Sequence, residues 1–542
     1  MTPHCRGYRR PTDRPRSRRT AISADRLAPT YRDIAGDFSS ERYSSGRCAI
    51  FLGIDIGTSA SKGALVRHDG VVVAKAERAH GVSTPHPGWV EHDAEAVWWA
   101  DFRAITRELL AATDVGGLAG IGVSGIGPCL LPADAEGIPL RPAILYGVDT
   151  RSTREIADLN AELGADTVLA RAGAPLTSQA VGPKWRWLAR HEPHVADRTA
   201  KLLMASSFLV HRLTGRYVLD HHSASQCVPL YDLYRREWAA DWCETVAPGL
   251  PLPELAWPTE VIGRVTERAA ADTGLPAGLP VTTGTVDAWA EATSVGVREP
   301  GDAMIMYGTT MFLVQVLADP RPHPGLWGTC GVDPGMYTLA AGMATSGAVT
   351  DWLRRLFGED YATLTEAAAR VPAGSRGLLL LPYFAGERTP LFDPDARGMV
   401  AGLTTAHGRA ELYRAALEGT AYGVRHNLEA MTEAGGRARR LIAVGGGTRG
   451  GLWTRIVSDI TGLPQQLPAE TIGACLGDAR LAAEAAGVDT SAWNPVVDTV
   501  EPDAERAARY EPYYLHYRDL YRGTADIAHF LAAEQRGAEH PS

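Results

Sequence analysis

Residues 51–62 read FLGIDIGTSASK, and the fold turns on this stretch. An apolar run (Ile50, Phe51, Leu52, Ile54) carries one carboxylate, Asp55, and breaks at Gly57-Thr58-Ser59 before Lys62-Gly63-Ala64-Leu65-Val66 turns apolar again. That pattern predicts strand, tight turn, strand. Asp69-Gly70 is a hairpin signal followed by Val71-Val72-Val73, which extends the expectation to a three-stranded meander. A phosphate can rest against such a turn, because glycine lets the backbone approach closely and successive N–H groups form a concavity for an anion. Asp55 repels phosphate but can hold a Mg²⁺ that accompanies ATP, directly or through water. On this stretch alone, an ordinary hairpin with a polar turn is the alternative.

The motif recurs. Residues 303–316, AMIMYGTTMFLVQV, again read strand, Gly-Thr turn, strand, and Gly308-Thr309 follows Gly57-Thr58 by 251 positions. Two like halves predict a duplicated architecture closing on one polyphosphate. Between them, 93–110 has helical spacing after an Asp93 cap, and 118–124 is a small-residue strand entering Gly125-Ile126-Gly127-Pro128. A strand at 143–146 ends at Asp149-Thr150-Arg151, and helices are expected at 184–188 and 202–213. Residues 220–225, DHHSAS, read as a loop with His221-His222 in a surface turn. A strand at 279–283 leads to Asp287, an acid at the head of a small-residue helix and well sited to work in a cleft; a helix N-cap is its plainer reading. Strand–helix alternation of this kind predicts an α/β protein with functional groups at the carboxyl ends of strands.

In the second half, 348–357 and 408–430 are amphipathic helices. A strand at 441–444 enters Gly445-Gly446-Gly447-Thr448-Arg449-Gly450-Gly451, with a helix from about Leu452. Gly445, Gly447 and Gly450 satisfy G-x-G-x-x-G, but the dinucleotide reading needs an N-terminal βαβ unit and an acid ending its second strand, and Asp459 falls inside the following helix. A turn that lets an adenine or ribose lie on bare backbone fits better.

At 542 residues the chain is too long for one core, and two to four domains are expected. Seven scattered cysteines without a C-x-x-C pair predict reduced thiols in a cytoplasmic protein, not a disulfide framework or a zinc site. No run of about 18 apolar residues occurs, so no membrane helix is expected. Eleven arginines against five acids in 1–47 leave a net charge of −15 on the rest, a poor nucleic-acid binder. The 1–47 segment is expected to be a disordered basic extension, with a mis-assigned start or a functional arm as alternatives.

Taken together, these stretches resemble the FGGY carbohydrate kinases of the actin/Hsp70/hexokinase ATPase superfamily, over about 49–525. The resemblance implies two actin-like (RNase H-like) α/β domains with an ATP cleft between them: 48–298 on the sugar and phosphate side and 299–526 on the nucleotide side, with 527–542 as a tail. DIGTSASK resembles the family's first phosphate turn and implies Asp55 for Mg²⁺, with Gly57, Thr58, Ser59 and Lys62 at the phosphates. GTVDAWAEATSVG looks like the segment carrying the catalytic base, which falls on Asp287. YGTT resembles the second phosphate turn (Gly308, Thr309). Gly347 sits at a nucleotide contact, and Gly446-Gly447 is similar to the adenosine site. Residues 184–191 resemble the first family signature, from which Val181 departs upstream, and 402–418 resembles the second.

The implied reaction is ATP-dependent phosphorylation of a small sugar, without nucleic-acid or membrane partners; a homodimer is expected by analogy only. In glycerol kinases the loop after the 118–124 strand carries an Arg-Glu pair, and in typical xylulokinases Gln-Met-His-Gly; here it is Ile126-Gly127-Pro128-Cys129. The Asp149-Thr150-Arg151 turn and 382–398, PYFAGERTPLFDPDARG, are closer to the xylulokinase-like branch, so a pentulose such as xylulose is the expected acceptor. Another sugar or polyol, an ATP-driven switch and a non-catalytic sensor are the alternatives. Asp149 is expected to accept sugar hydroxyls or to pair with Arg151 or Arg154.

Overall fold

Two seven-stranded sheets organise the chain, of which residues 49–112 and 117–539 are described in a computed structural model. The first contains β1 (Ile50–Ile56), β2 (Ala60–Arg67), β3 (Val72–Ala79), β4 (Leu118–Gly125), β5 (Val261–Arg264), β6 (Pro280–Thr282) and β7 (Thr285–Val286). The second contains β8 (Asp302–Tyr307), β9 (Met311–Leu317), β10 (Trp327–Cys330), β11 (Tyr337–Met343), β12 (Arg440–Val444), β13 (Gln465–Pro468) and β14 (Val496–Val500). Their orders are β5-β6-β4-β1-β2-β3, with β7 on β4, and β10-β11-β9-β8-β12-β13-β14.

The two sheets correspond strand by strand. β1 pairs antiparallel with β2 and parallel with β4, as β8 pairs antiparallel with β9 and parallel with β12. The meander β1-β2-β3 matches β8-β9-β11, and the parallel pair β4-β6 edged by antiparallel β5 matches β12-β13 edged by β14. This is the duplication expected from the two Gly-Thr hairpins. Every residue of β1 is buried, as a strand covered on both faces must be.

The covering element comes from far along the chain. Helices α1 (Asp287–Ser294), α2 (Gly347–Phe357), α3 (Arg409–Glu433), α4 (Leu452–Thr461), α5 (Ala474–Ala485) and α6 (Ala504–Glu539) frame the sheets. Although α5 follows β13 of the second sheet, it packs on β1 and β4 of the first and on α1. The approach is backbone to backbone. A Cβ on Gly53 would lie 1.9 Å from Cys475 O, one on Gly122 2.1 Å from Asp478 O, and one on Gly477 1.8 Å from Ala290 O. Three glycines thus bring α5 against the first sheet and set Asp478 behind the carboxyl ends of β1 and β4.

Several local expectations are revised. Residues 202–213 are not one helix: Lys201–Leu203 is a strand and Ala205–Thr214 the helix. At 143–146 only Ala143–Ile144 forms a strand, paired with Glu91–His92. His221–Ser225 is a short helix, and His222 is not on a surface turn but 6% exposed and stacked on Trp289. α6 runs through 527–539, so no separate tail begins at 527; Ala528 and Ala532 are buried there, and His529 Nε2 lies 2.8 Å from Asp393 Oδ2. Among the described cysteines, Cys129, Cys227, Cys243, Cys330 and Cys475 are free thiols. Cys5, Cys48 and the 1–47 extension lie outside the described residues. No helix among the described residues is long and apolar enough to cross a membrane.

Candidate active site

The β1-β2 hairpin delivers the first half of the site. Gly57 N–H donates to Ala60 O at 3.1 Å to close the turn, and Thr58 Oγ1 lies 3.2 Å from the Tyr146 hydroxyl. His80 supports the turn from behind, its Nε2 3.1 Å from Gly57 O and its Nδ1 2.8 Å from Asp101 Oδ2. Ser59 is exposed at the tip. Asp55 ends β1 opposite Lys62 on β2 and beside Ser124 on β4.

Asp55 belongs to an acidic cluster. Ser124 Oγ is 3.1 Å from Asp55 Oδ1 and 2.8 Å from Asp478 Oδ2, yet it has one proton for two carboxylates. Asp478 Oδ1 is buried without a hydrogen-bond partner among the described residues. Burial, then the charges of Asp287 and Glu291, hold the Asp55 carboxyl well above its ordinary range, with Ser124 and Lys62 acting in the opposite sense. Burial, then Asp55, does the same to Asp478. Among the described residues no three ligating side chains form a ready cage for a metal. A cation that keeps most of its own waters and shares phosphate oxygens needs only one or two carboxylates, and this arrangement suits it.

Asp287 is the first residue of α1, directly after β7, which pairs with β4. The preceding Thr285 is pinned by its hydroxyl to Asp220 Oδ2 at 2.9 Å. The cap position itself is Val286, and Asp287 Oδ1 accepts from Ala288 N–H at 2.7 Å, while Oδ2 has no hydrogen-bond partner among the described residues. Burial pushes the Asp287 carboxyl up to about 6 and Glu291, one helical turn on, to about 7.

The second hairpin and the glycine turn form a separate surface. Gly308 N–H closes its turn on Thr310 O at 3.1 Å, and α2 docks onto the turn: Gly347 N–H donates to Gly308 O, and Ser346 and Ala348 N–H to Thr309 O, at 3.0–3.1 Å. A Cβ on Gly347 would meet Gly308 O at 2.5 Å. Gly445, at φ +92°, and Gly447 pack on Tyr307, whereas Gly446 has nothing within 4 Å of where a side chain would begin. It offers bare backbone to open space. The two surfaces approach each other through Tyr146, which bonds Thr58 and feels the Arg388 guanidinium; Arg388 in turn donates to Met343 O on β11 at 2.9 Å.

The FGGY carbohydrate-kinase N-terminal domain pattern matches residues 50–294 and the C-terminal domain pattern 303–486. The chain belongs to the FGGY family of carbohydrate kinases. Among curated relatives of this FGGY kinase, a xylulose kinase of Escherichia coli (strain K12) is 32% identical over 490 residues, 87% of this chain and 99% of the relative. A glycerol kinase of Nocardia farcinica is 32% identical over 469 residues, 82% and 91% of the two chains. The crystal structure of xylulose kinase from Rhodospirillum rubrum superposes with a TM-score of 0.82 at 34% identity, covering 89% of this chain and all of that one.

Asp149 of the FGGY kinase stands apart from the expected hydroxyl reader. It is fully buried, its Oδ1 accepts Arg151 N–H, and both oxygens meet the Arg151 guanidinium at 2.7–3.0 Å while Oδ2 also takes Val90 N–H at 2.7 Å. With its lone pairs occupied and no access, it is a structural ion pair. The concavity next to Asp287 is walled by apolar residues including Val286, Trp289, Phe312 and Trp327, with Thr177, Gln179, His222, Ser225, Gln226 and Thr329 as polar groups. Lys184, fully buried, donates to Ala180 O at 3.2 Å and to Ser178 O, and so holds the turn that presents Gln179. Asp478 carries a signal as an acid set directly after Gly477 in the small-residue run GACLGDA; Gln179 and Gln226 carry none in the sequence.

Proposed function

We propose that this kinase transfers the γ-phosphoryl group of ATP to a hydroxyl of a ketose, a pentulose of the xylulose type, with Asp287 as general base. The observation that carries this reading is the position of Asp287. Its chain neighbours Val286 and Ala288 wall the cavity, and after burial its negative charge is what raises the Asp55 carboxyl beside the first phosphate turn. An acceptor in the cavity presents a hydroxyl to the free carboxylate oxygen, which takes its proton as the oxygen attacks phosphorus. With the Gly57 and Gly308 N–H groups closing their turns, the N–H groups of Thr58 and Ser59 and of Thr309 and Thr310, with Lys62, stabilise charge on the phosphoryl oxygens. Gly446 lets the nucleotide lie against bare backbone, and Gly347 and Gly447 allow the close packing that holds the turns beneath it. Asp55, backed by Ser124 and Asp478, is the side chain that would hold Mg²⁺, which supplies charge neutralisation at the phosphates. Ile126-Gly127-Pro128-Cys129 lacks the Arg-Glu pair of glycerol kinases, which argues against glycerol, and lacks the Gln-Met-His-Gly of typical xylulokinases as well; the lean to a ketose rests on the Asp149-Thr150-Arg151 turn and on 382–398.

The test is ADP release from Mg-ATP across pentuloses, hexuloses, polyols and glycerol. Stimulation by one ketose, and none by glycerol, is expected; glycerol as the preferred acceptor would contradict the substrate assignment.

The cluster also makes a prediction for the free protein. Asp287 and Glu291 titrate above their ordinary values when folded, so their contribution to stability is present in acid and is lost as pH rises through about 6 to 7. Mg²⁺ should therefore raise the melting temperature by a few degrees more at about pH 7.5 than at about pH 5. An equal shift at both pH values would count against cation binding at this cluster.

A further inference from the structure

Two amides face the same cavity with opposite polarity, and in each case the protein fixes which end points inward. Gly147 N–H lies 2.8 Å from Gln179 Oε1. A backbone N–H can only donate, so the oxygen of Gln179 is engaged and its NH₂ has no partner among the described residues. At Gln226 the logic runs the other way. His222 Nδ1 lies 2.6 Å from Cys330 O and must donate to it; the buried, neutral ring then has only a lone pair at Nε2, 3.1 Å from Gln226 Nε2. Burial lowers His222 to about 4, which keeps the ring neutral. Gln226 therefore turns its NH₂ toward His222 and leaves Oε1 without a partner among the described residues. The rest of the wall is apolar at Trp289, Phe312 and Trp327 and carries the hydroxyls of Thr177, Ser225 and Thr329, of which Ser225 donates to His222 O at 2.7 Å and Thr329 lies 2.5 Å from the Thr338 hydroxyl.

We propose that Gln179 and Gln226 read the acceptor's polar edge, Gln179 donating to a carbonyl oxygen and Gln226 accepting from a hydroxyl, so that the cavity selects an α-hydroxyketone over the corresponding polyol. This rests on the reading that the cavity beside Asp287 receives the phosphoryl acceptor. A polyol hydroxyl in place of the carbonyl could accept from Gln179, but its own proton would then need an acceptor, and among the wall hydroxyls Ser225 already takes Cys330 N–H and Thr329 already pairs with Thr338; a buried unpaired donor is what rejects a wrong substrate. His222 acts as a positioning residue that locks the Gln226 amide in its accepting orientation.

The experiment titrates xylulose and the matching pentitols without nucleotide, following the fluorescence of Trp289 and Trp327 in the cavity wall. It compares the wild-type protein with Gln179→Leu and Gln226→Leu, alongside ADP-release kinetics and melting temperature. The wild type is expected to bind the ketose more tightly than the pentitol. Each variant should weaken ketose binding by roughly 10-fold or more, leave the ATP KM within about twofold, and keep the wild-type melting temperature. Gln179→Leu should also narrow the ketose-to-pentitol ratio, which general damage to the cavity would not do. Ketose affinity unchanged in both variants, an unchanged ratio in Gln179→Leu, or no ketose binding by the wild type overturns the inference. Ketose binding that the variants weaken, with no sugar ever phosphorylated, upholds it and overturns the kinase reading instead.

Discussion

Replacing Asp287 with alanine is expected to lower turnover by roughly 10²- to 10⁴-fold while nucleotide binding survives, the range for loss of a positioned general base. Asp287→Asn should fall as far, because the amide fills the space but cannot take the proton. The pH profile carries the same signature. Burial lifts the wild-type carboxyl to about 6, and a base works only when ionised, so kcat/KM should rise with pH through about 6 and level above it. A cation beside Asp55 favours the ionised form and moves that limb lower. The residual rate of Asp287→Asn should lack the limb. A variant with full turnover would remove Asp287 from the chemistry.

The second large effect is expected at glycines that touch no ligand. Gly477 faces Ala290 O across the α5–α1 contact, where a Cβ would lie 1.8 Å away against backbone that cannot give. Gly477→Val must drive α5 off α1, and with it Asp478 from Asp55 and the first turn of the Asp287 helix. Overpacking of this kind typically costs about 1–3 kcal/mol and more when backbone must move. A large drop in melting temperature, or failure to accumulate as soluble protein, is expected. Gly81→Ala, with nothing within 4 Å, is the control and should melt as the wild type does. A Gly477→Val protein of wild-type stability would contradict the packing described for α5.

Much of this was legible from sequence because local chemistry and global fold agree at the turns. Gly57-Thr58 and Gly308-Thr309 sit between apolar runs of strand length, and glycine-hydroxyl turns have few other uses there, so hairpins and duplication could both be read. Asp287 stood out because a strand ended just before it and small residues followed. The remainder depends on long-range packing, which periodicity does not encode. Asp478 is 423 positions from Asp55, brought there by an α5 that crosses from the second sheet to the first. His221-His222 looked solvated because adjacent histidines are polar, but Trp289 and the Cys330 carbonyl provide a dry, bonded site for His222. Asp149 illustrates an ambiguity that sequence leaves open: the same Asp-x-Arg turn serves a hydroxyl reader or an ion pair, and only the Val90 N–H and the buried guanidinium decide for the pair. The Gln179 and Gln226 orientations depend on a backbone N–H and a histidine tautomer, neither of which is visible in a string of letters.

The central claim is that a sugar hydroxyl, not water, receives the phosphoryl group. ³¹P NMR of a reaction with Mg-ATP and xylulose, run beside Asp287→Ala, tests it most directly. A new phosphomonoester resonance is expected to grow in step with ADP in the wild-type reaction and to be absent from the variant. ADP accompanied only by inorganic phosphate, at a rate indifferent to the sugar, would contradict it.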